Sequence, residues 1–335
     1  VMAQAEFIDS HRLALSDGTQ VRASQMVIAT GSSPFTPPLL RQAEDRLVIN
    51  DDVFNWHDLP RSVAVFGAGV IGLELGQALH RLGVKVRLFS LGGGIGPIQD
   101  PEILVQARRN FQDEFYLDPE AKVYDITRSA DGVEIEYLDY RDQTRQSETF
   151  DYLLSAAGRR PNIARLKLEN AGLELNDKGM PTIEPSTLQC GSSGVFMAGD
   201  VNGQRPLLHE ASDEGRIAGA NAARFPDVQP GHRRTPLAVT FSQPQIAQIG
   251  LSYQEAQAQC AGCMIIGEVS FDNQGRARVM GVNKGLLRVY VRQGSGKLLG
   301  AEMFGPAAEH LAHLLAWSVA RGDTVDALLD MPFYH

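Results

Sequence analysis

Cysteine is scarce in this chain: three residues in 335, Cys190, Cys260 and Cys263. So few, and an odd number, exclude a disulfide-built scaffold and fit a reducing, cytoplasmic setting. Basic residues are also in deficit. The 31 Lys and Arg face 40 Asp and Glu, a formal net charge of −9. That balance matches a phosphate backbone poorly, so no nucleic-acid partner is expected. No apolar run approaches the ~18 residues of a membrane span, and the opening residues hold no basic segment followed by an apolar one. Neither a membrane partner nor a targeting signal is expected.

What is present describes a folded protein of more than one domain. Hydrophobic residues make up 43% and charged residues 21%, an ordinary globular composition. At roughly 150 residues per domain the length allows two or three. Glycine fills 33 positions without a Gly-X-Y period, which points to tight turns or close approach of the backbone to a ligand.

Along the chain, Gln25–Ala29 reads as a short strand entering Thr30-Gly31-Ser32-Ser33-Pro34. Ser62–Phe66 is a continuous apolar run of the kind buried in a parallel sheet. Leu73, Leu75, Leu79 and Leu82 then recur at helical spacing up to Gly83, and Val84–Phe89 is the next strand, completing one βαβ unit. Asp100-Pro101-Glu102 opens a helix to about Phe111, and Val133–Tyr137 with Thr149–Leu154 reads as an antiparallel pair. Val195–Ala198 is another buried strand, followed by a helix from about His209 to Ala223. Leu286–Arg292 and Lys297–Phe304 form a hairpin, and Pro306–Arg321 a helix ending at Gly322.

Gly67-Ala68-Gly69-Val70-Ile71-Gly72 is G-x-G-x-x-G placed directly after a strand and opening a helix. The first glycine allows the tight turn, the second lets backbone approach a pyrophosphate, and the third lets helix and strand pack closely. The helix N-terminus offers unpaired N–H groups and partial positive charge to the phosphates. The acidic residue that should end the second strand is absent; the chain reads Arg87-Leu88-Phe89-Ser90 there. Ser90 is the candidate for the adenosine ribose, and Arg87 either aids a 2′-phosphate or is a solvated strand residue. NAD and NADP both stay open.

Four segments taken together resemble the flavoprotein pyridine nucleotide-disulfide oxidoreductases, and most of all their dihydrolipoamide dehydrogenase branch. They are Ala29-Thr30-Gly31, Gly67 to Glu74, Ala157-Gly158-Arg159-Arg160-Pro161-Asn162 and Gly194-Val195-Phe196-Met197-Ala198-Gly199-Asp200. Pro206-Leu207-Leu208-His209-Glu210-Ala211 and the tail Met331-Pro332-Phe333-Tyr334-His335 add to the likeness. The resemblance implies an α/β protein with a Rossmann-like NAD(P) domain inserted in a partial FAD-binding domain, followed by an α+β dimerisation domain. The expected boundaries are 1–59 and 160–230 for the FAD-binding segments, 60–159 for the NAD(P) domain and 231–335 for the interface domain. It implies FAD and NAD as cofactors, with NADP not excluded, and a homodimer that oxidises a dithiol such as dihydrolipoamide on a carrier domain.

By the same resemblance, Ala29, Thr30 and Gly31 lie where the chain crosses the flavin nucleotide. Gly199 and Asp200 match the site of a flavin ribityl hydroxyl, and Leu207, Leu208 and His209 start the helix aimed at the flavin pyrimidine. Glu74 matches a glutamate beside flavin and nicotinamide that is normally paired with a lysine. Val123 and Gly158 fall on positions lining the nicotinamide nucleotide, and His335 matches the catalytic base, working across a dimer interface. Taken singly, most of these residues read as ordinary turn, cap or surface positions.

The family's first G-x-G-x-x-G and its C-x-x-x-x-C redox pair do not occur in this sequence. The expectation is therefore a piece of a longer protein, or a naturally shortened paralogue, that binds nucleotide without turnover. Other reductases of the family, a soluble transhydrogenase and a non-catalytic nucleotide-binding module are the alternatives. Cys260-Ala261-Gly262-Cys263 has redox spacing but lies outside a βαβ setting, and it is set aside as a redox or metal site. Cys190 reads as a small surface or strand residue. Glu309, His310 and His313 lack the H-E-x-x-H order and read as interface polar residues rather than metal ligands.

Overall fold

The computed structural model describes residues 2–334. Two compact units divide the chain, one holding the residues up to Ser33 with Arg159–Arg234, the other Pro34–Gly158 with the residues from Thr235 onward.

In the first unit, strands Ala5–Asp9, Arg12–Leu15 and Gln20–Arg22 form an antiparallel sheet, and Met26–Ile28 pairs in parallel with Val195–Met197. The period of two in that pair builds two small cores. Met26, Ile28, Val195 and Met197 pack with Phe7 and Leu168, while Phe196 turns the other way onto Ile217 and Ala218 of the helix Leu208–Arg224.

The second unit is centred on a five-stranded parallel sheet. Its order is Leu47–Val48, Tyr152–Ser155, Ser62–Phe66, Lys85–Phe89, Tyr116–Asp118. Helices Val70–Arg81 and Pro101–Glu114 pack through Leu73, Leu79, Ile103 and Phe111 on the face bearing Val63, Val65, Val86 and Leu88. The opposite face, bearing Ala64, Phe89 and Leu153, is covered by the antiparallel sheet Val123–Ser129, Gly132–Asp139, Thr144–Phe150 through Ile126, Val133, Ile135 and Phe150. Burial on both faces is why these strands read as unbroken apolar runs.

The expected Thr149–Leu154 strand is divided in two. Thr144–Phe150 pairs with Gly132–Asp139, and Tyr152–Ser155 crosses into the parallel sheet. The break falls at Asp151, whose carboxylate accepts the Arg61 N–H at 2.7 Å and the Ser62 N–H at 3.3 Å and so turns the chain toward the neighbouring strand.

The C-terminal part of this unit is an antiparallel sheet, ordered Leu237–Thr240, Gln245–Gly250, Leu298–Gly305, Leu286–Arg292, Met264–Ser270. Helix Ala308–Arg321 lays Ala308, Ala312 and Ala316, one helical turn apart, onto Ala247, Ile249, Ala301 and Met303. Ile246, Leu286 and Phe304 instead join the core beneath helices Val70–Arg81 and Pro101–Glu114. A buried polar cluster reinforces that junction. Glu302 accepts the N–H groups of Gln99, Asp100 and Tyr253 at 2.8, 3.0 and 2.8 Å. Asp100 caps the helix Pro101–Glu114 and accepts from Arg288 at 2.7 Å and the Tyr290 hydroxyl at 3.0 Å. Burial pushes the Glu302 carboxyl above its ordinary range. No helix among the described residues is long and apolar enough to cross a membrane.

Asp100 is fully buried, so Asp100→Ala removes a helix cap and leaves the largely buried Arg288 with only the half-exposed Glu268, at 3.1 Å, as its partner. Urea unfolding of the variant is expected to show a loss of about 3–5 kcal/mol; a loss below about 1 kcal/mol contradicts this role.

Candidate functional site

The glycine turn of the second unit is built by contact distances that exclude side chains. The Gly67 N–H donates to the Phe89 carbonyl at 2.7 Å, at φ +119°, and a Cβ there would lie 2.2 Å from the Ala156 carbonyl oxygen. A Cβ at Gly72 would lie 1.8 Å from the Gly67 carbonyl oxygen. Strand end and helix start are therefore pressed together, and helix Val70–Arg81 begins at its cap Gly69, which is exposed and where a Cβ would meet no atom within 4 Å. The first-turn N–H groups face this open space without intrahelical partners. A pyrophosphate fits such a cradle: backbone donors, positive helix end, no side chain in the way.

Beyond the end of the neighbouring strand Lys85–Phe89, the Ser90 hydroxyl accepts the Ala68 N–H at 3.1 Å and so braces the turn. Arg87 is neither solvated nor turned to a nucleotide. It donates to Glu148 at 3.0 Å and its guanidinium lies 4.4 Å from the centre of the Tyr116 ring, because a second sheet covers that face of its strand. Burial pushes the Glu148 carboxyl up, but Lys85, Arg87 and Tyr137 around it hold it below the usual range. Glu74 is not a solvated first-turn acid: its carboxylate accepts the Phe241 N–H at 2.7 Å. Val123 is half-buried and packs on the core beneath the covering sheet. Gly158, at φ +104° and exposed, accepts the Phe35 N–H through its carbonyl at 2.9 Å, and a Cβ there would also meet no atom within 4 Å.

In the first unit, the carboxyl ends of the two parallel strands carry Ala29-Thr30-Gly31 and Gly199-Asp200. Asn162 stitches the first of these turns. Its N–H donates to the Gly31 carbonyl and its side-chain amide to the Thr30 carbonyl, both at 2.9 Å, while it accepts from Thr30 Oγ1 at 2.9 Å and Ser33 Oγ at 2.8 Å. Ser32 donates to Asp200 at 2.8 Å and is itself held by Arg159, which donates to its hydroxyl and its carbonyl, each at 2.8 Å. The Gly199–Asn202 turn is fixed from below by Glu214, fully buried, which accepts the Gly199 N–H at 2.7 Å, the Asn202 amide at 2.6 Å and Arg233 at 2.6 Å. Arg233 also pairs with Glu210 at 2.9 Å. A polyol hydroxyl fits beside Asp200, a strand-end carboxylate already oriented by Ser32. Leu207 caps the helix Leu208–Arg224, at whose start Leu208 and His209 are exposed.

The bonds of Asn162, Ser32, Arg159, Glu214 and Arg233 join residues far apart in the chain, and local spacing carries no signal of them. The acids of His209–Arg216 read as a solvated helix face, and only the Arg233-Arg234 pair downstream hints at partners for them.

His335 lies outside the described residues. His313 Nδ1 is 2.6 Å from the Glu309 carbonyl, and His310 Nε2 is 3.6 Å from the Glu309 carboxylate. Cys190 is fully buried between short bridges rather than at the surface, and burial pushes its thiol up to about 12. Cys260 and Cys263 are joined in a disulfide, a bond that the reducing setting expected from the low cysteine count does not favour.

Residues 1–215 match the family model of pyridine nucleotide-disulphide oxidoreductases, and residues 237–335 that of their dimerisation domain. The chain is 29% identical over 334 residues to a dihydrolipoyl dehydrogenase of Bacillus subtilis (strain 168), spanning 97% of this chain and 69% of that protein. It is 28% identical over 347 residues to a soluble pyridine nucleotide transhydrogenase of Escherichia coli (strain SMS-3-5 / SECEC), spanning 99% and 72%. Among solved structures it is similar to LpdA from Mycobacterium tuberculosis, with TM-score 0.81, 25% identity and coverage of 100% of this chain and 74% of that one. It also shares the fold of the HOCl-induced flavoprotein disulfide reductase RclA from Escherichia coli, with TM-score 0.82, 22% identity and coverage of 99% and 75%.

The crowding at Gly72 and the open space at Gly69 predict unequal costs. Gly72→Ala is expected to lower unfolding stability by more than about 3 kcal/mol in urea titrations, and Gly69→Ala by less than about 0.5 kcal/mol. Equal effects contradict the geometry of the turn.

Proposed function

The chain belongs to the pyridine nucleotide-disulphide oxidoreductase family, whose members use FAD and NAD(P), and we propose that its protein oxidises a dithiol, dihydrolipoamide, to the disulfide while reducing NAD+ to NADH. The observation that carries this reading is the Gly67–Gly72 cradle with its open helix N-terminus, supported by the likeness to dihydrolipoyl dehydrogenases over nearly the whole chain.

In this proposal Gly67, Ala68, Gly69, Val70, Ile71 and Gly72 hold the nucleotide pyrophosphate through backbone N–H groups, and Gly158 leaves room for the nicotinamide half. Ser90 keeps the turn in shape and presents no carboxylate to the adenosine ribose. Val123, half-buried at the start of strand Val123–Ser129, lines the nicotinamide nucleotide in this proposal. Thr30, Gly31 and Asp200 take the flavin's sugar-alcohol segment, with Ala29 and Gly199 giving close backbone approach. Leu207, Leu208 and His209 present a helix N-terminus, which favours negative charge on a ring placed before it. When bound, FAD supplies a two-electron relay between thiol and nicotinamide chemistry. Glu74, tied to the Phe241 N–H, positions the helix that follows the glycine turn. His335 exchanges the thiol proton, for which an imidazole with an ordinary pKa of ~6.5 is suited at neutral pH. The four segments with boundaries at 59, 159 and 230 are the proposed functional domains, and the outer face of helix Ala308–Arg321, with Leu314 and Trp317 exposed, the proposed homodimer contact. The carrier of the lipoyl group is a further part of the proposal.

A second reading is favoured by a likeness to soluble transhydrogenases of nearly the same degree, 28% over 347 residues. Activity separates the two. The full-length protein is expected to show a flavin absorbance band and to form NADH from NAD+ and dihydrolipoamide, at a rate that falls as pH drops through about 6.5 and that His335→Gln lowers at least ~100-fold. Electron transfer between NADH and an NADP+ analogue without dithiol oxidation overturns the lipoamide reading, and absence of a flavin band overturns both. Because Gly69 faces open space, Gly69→Val is expected to keep the unfolding midpoint while weakening NADH binding, followed by nucleotide fluorescence, at least ~100-fold; unchanged affinity removes the cradle from the account.

A further inference from the structure

The cysteine pair of the interface domain has no part in the function above. We propose that Cys260–Cys263 is a second thiol–disulfide exchange site, selective for dithiols, with Cys263 as the sulfur that is attacked.

The two sulfurs stand in unlike surroundings. Cys260 ends the helix Tyr253–Gln259, is 2% exposed and packs among Ala256, Tyr290 and Leu299. Cys263 is half-buried at the start of strand Met264–Ser270, and the two residues between the cysteines are exposed. A Cβ at Gly262 would meet no atom within 4 Å. A thiolate arriving from solvent therefore reaches Cys263 beside this open turn, while Cys260 is shielded by the core.

The backbone holds the pair in place without the sulfur bridge. Cys260 N–H donates to the Ala256 carbonyl at 3.0 Å, Cys263 N–H to the Cys260 carbonyl at 3.0 Å, and Gln293 N–H to the Cys263 carbonyl at 2.7 Å. The Cα atoms are 5.1 Å apart at a sequence separation of 3. A bridge closing so short a loop constrains the unfolded chain least, so opening it leaves the domain folded and the thiols still poised to rejoin.

The exchange follows from this geometry. The first thiolate of a dithiol bonds to Cys263 Sγ; the Cys260–Cys263 bond breaks, and Cys260 Sγ departs with the electron pair and takes up a proton. The second thiolate of the same molecule then attacks its own sulfur in the mixed disulfide. Cys263 Sγ leaves and is protonated, and the dithiol departs as a cyclic disulfide. Two electrons have passed from the dithiol to the protein pair. A monothiol stops at the mixed disulfide, where Cys260, held at bonding range, expels it again. Selectivity for dithiols is the result. No residue of the glycine turn or of the Asp200 turn takes part, so this inference stands or falls apart from the flavin reading.

Intact and peptide mass spectrometry of the full native chain after iodoacetamide labelling tests it. Dithiothreitol is expected to expose Cys263 to labelling on the native chain, with Cys260, shielded by the core, labelled only slowly and Cys190 unlabelled, and oxidised dithiothreitol to restore the bridge. Glutathione at equal thiol concentration should open the pair at least ~10-fold less. Labelling of Cys263 that requires denaturant, or equal opening by both thiols, overturns the proposal. Oxidised glutathione should leave a stable adduct on Cys263 in Cys260→Ser, and react at least ~10-fold more slowly with Cys260 in Cys263→Ser. No adduct in the first variant, or equal rates in the two, rejects Cys263 as the entry sulfur.

Discussion

A single methyl group at residue 72 would stand 1.8 Å from the Gly67 carbonyl oxygen, and most of the nucleotide-type half of this molecule depends on that lack of room. The contact brings the end of strand Ser62–Phe66 and the start of helix Val70–Arg81 together at backbone distance, which leaves the first helical N–H groups aimed into open space. Packing keeps the arrangement from relaxing. Val63 and Val65 are fully buried under the helices, Ala64 under the covering sheet, so the strand cannot shift register without turning its side chains to the wrong face. The open helix start at the turn is thus a consequence of sterics in the core.

Each unit also spends buried charge on placing a turn or a helix start. In the second, Asp100, Glu302 and Arg288 join a helix cap to the antiparallel sheet. In the first, Glu214 and Arg233 hold the turn that carries Asp200. Buried ion pairs are poor sources of net stability, since desolvation offsets their attraction, but removing one partner is costly. Their effect here is geometric: a carboxylate accepting two or three donors admits one backbone path and rejects its neighbours.

Local order was legible in the sequence wherever it came from period or from glycine. The strand–turn–helix of Ser62–Arg81, the helix starting after Asp100 and the hairpin Leu286–Gly305 stand where the apolar spacing and the turn residues put them. Long-range partnership was not legible. Arg87 alternates like a solvated strand residue, because nothing near it reveals that a second sheet brings Glu148 to its guanidinium. Glu74 looks like a free first-turn acid until Phe241, far along the chain, supplies its N–H. Asn162 and Glu214 make bonds whose other ends lie in separate segments, so their local spacing carries no trace of them. The spacing of Cys260 and Cys263 could be read, but whether two thiols face each other depends on how a helix ends.

The central claim is that the turn at residues 67–72 is where the nucleotide pyrophosphate sits. The most direct measurement is a crystal structure of the protein grown with NAD+. The account predicts phosphate oxygens accepting hydrogen bonds from the backbone N–H groups that follow Gly69, with Gly67 and Gly72 unmoved. A dinucleotide bound elsewhere, with the turn facing only solvent, contradicts it.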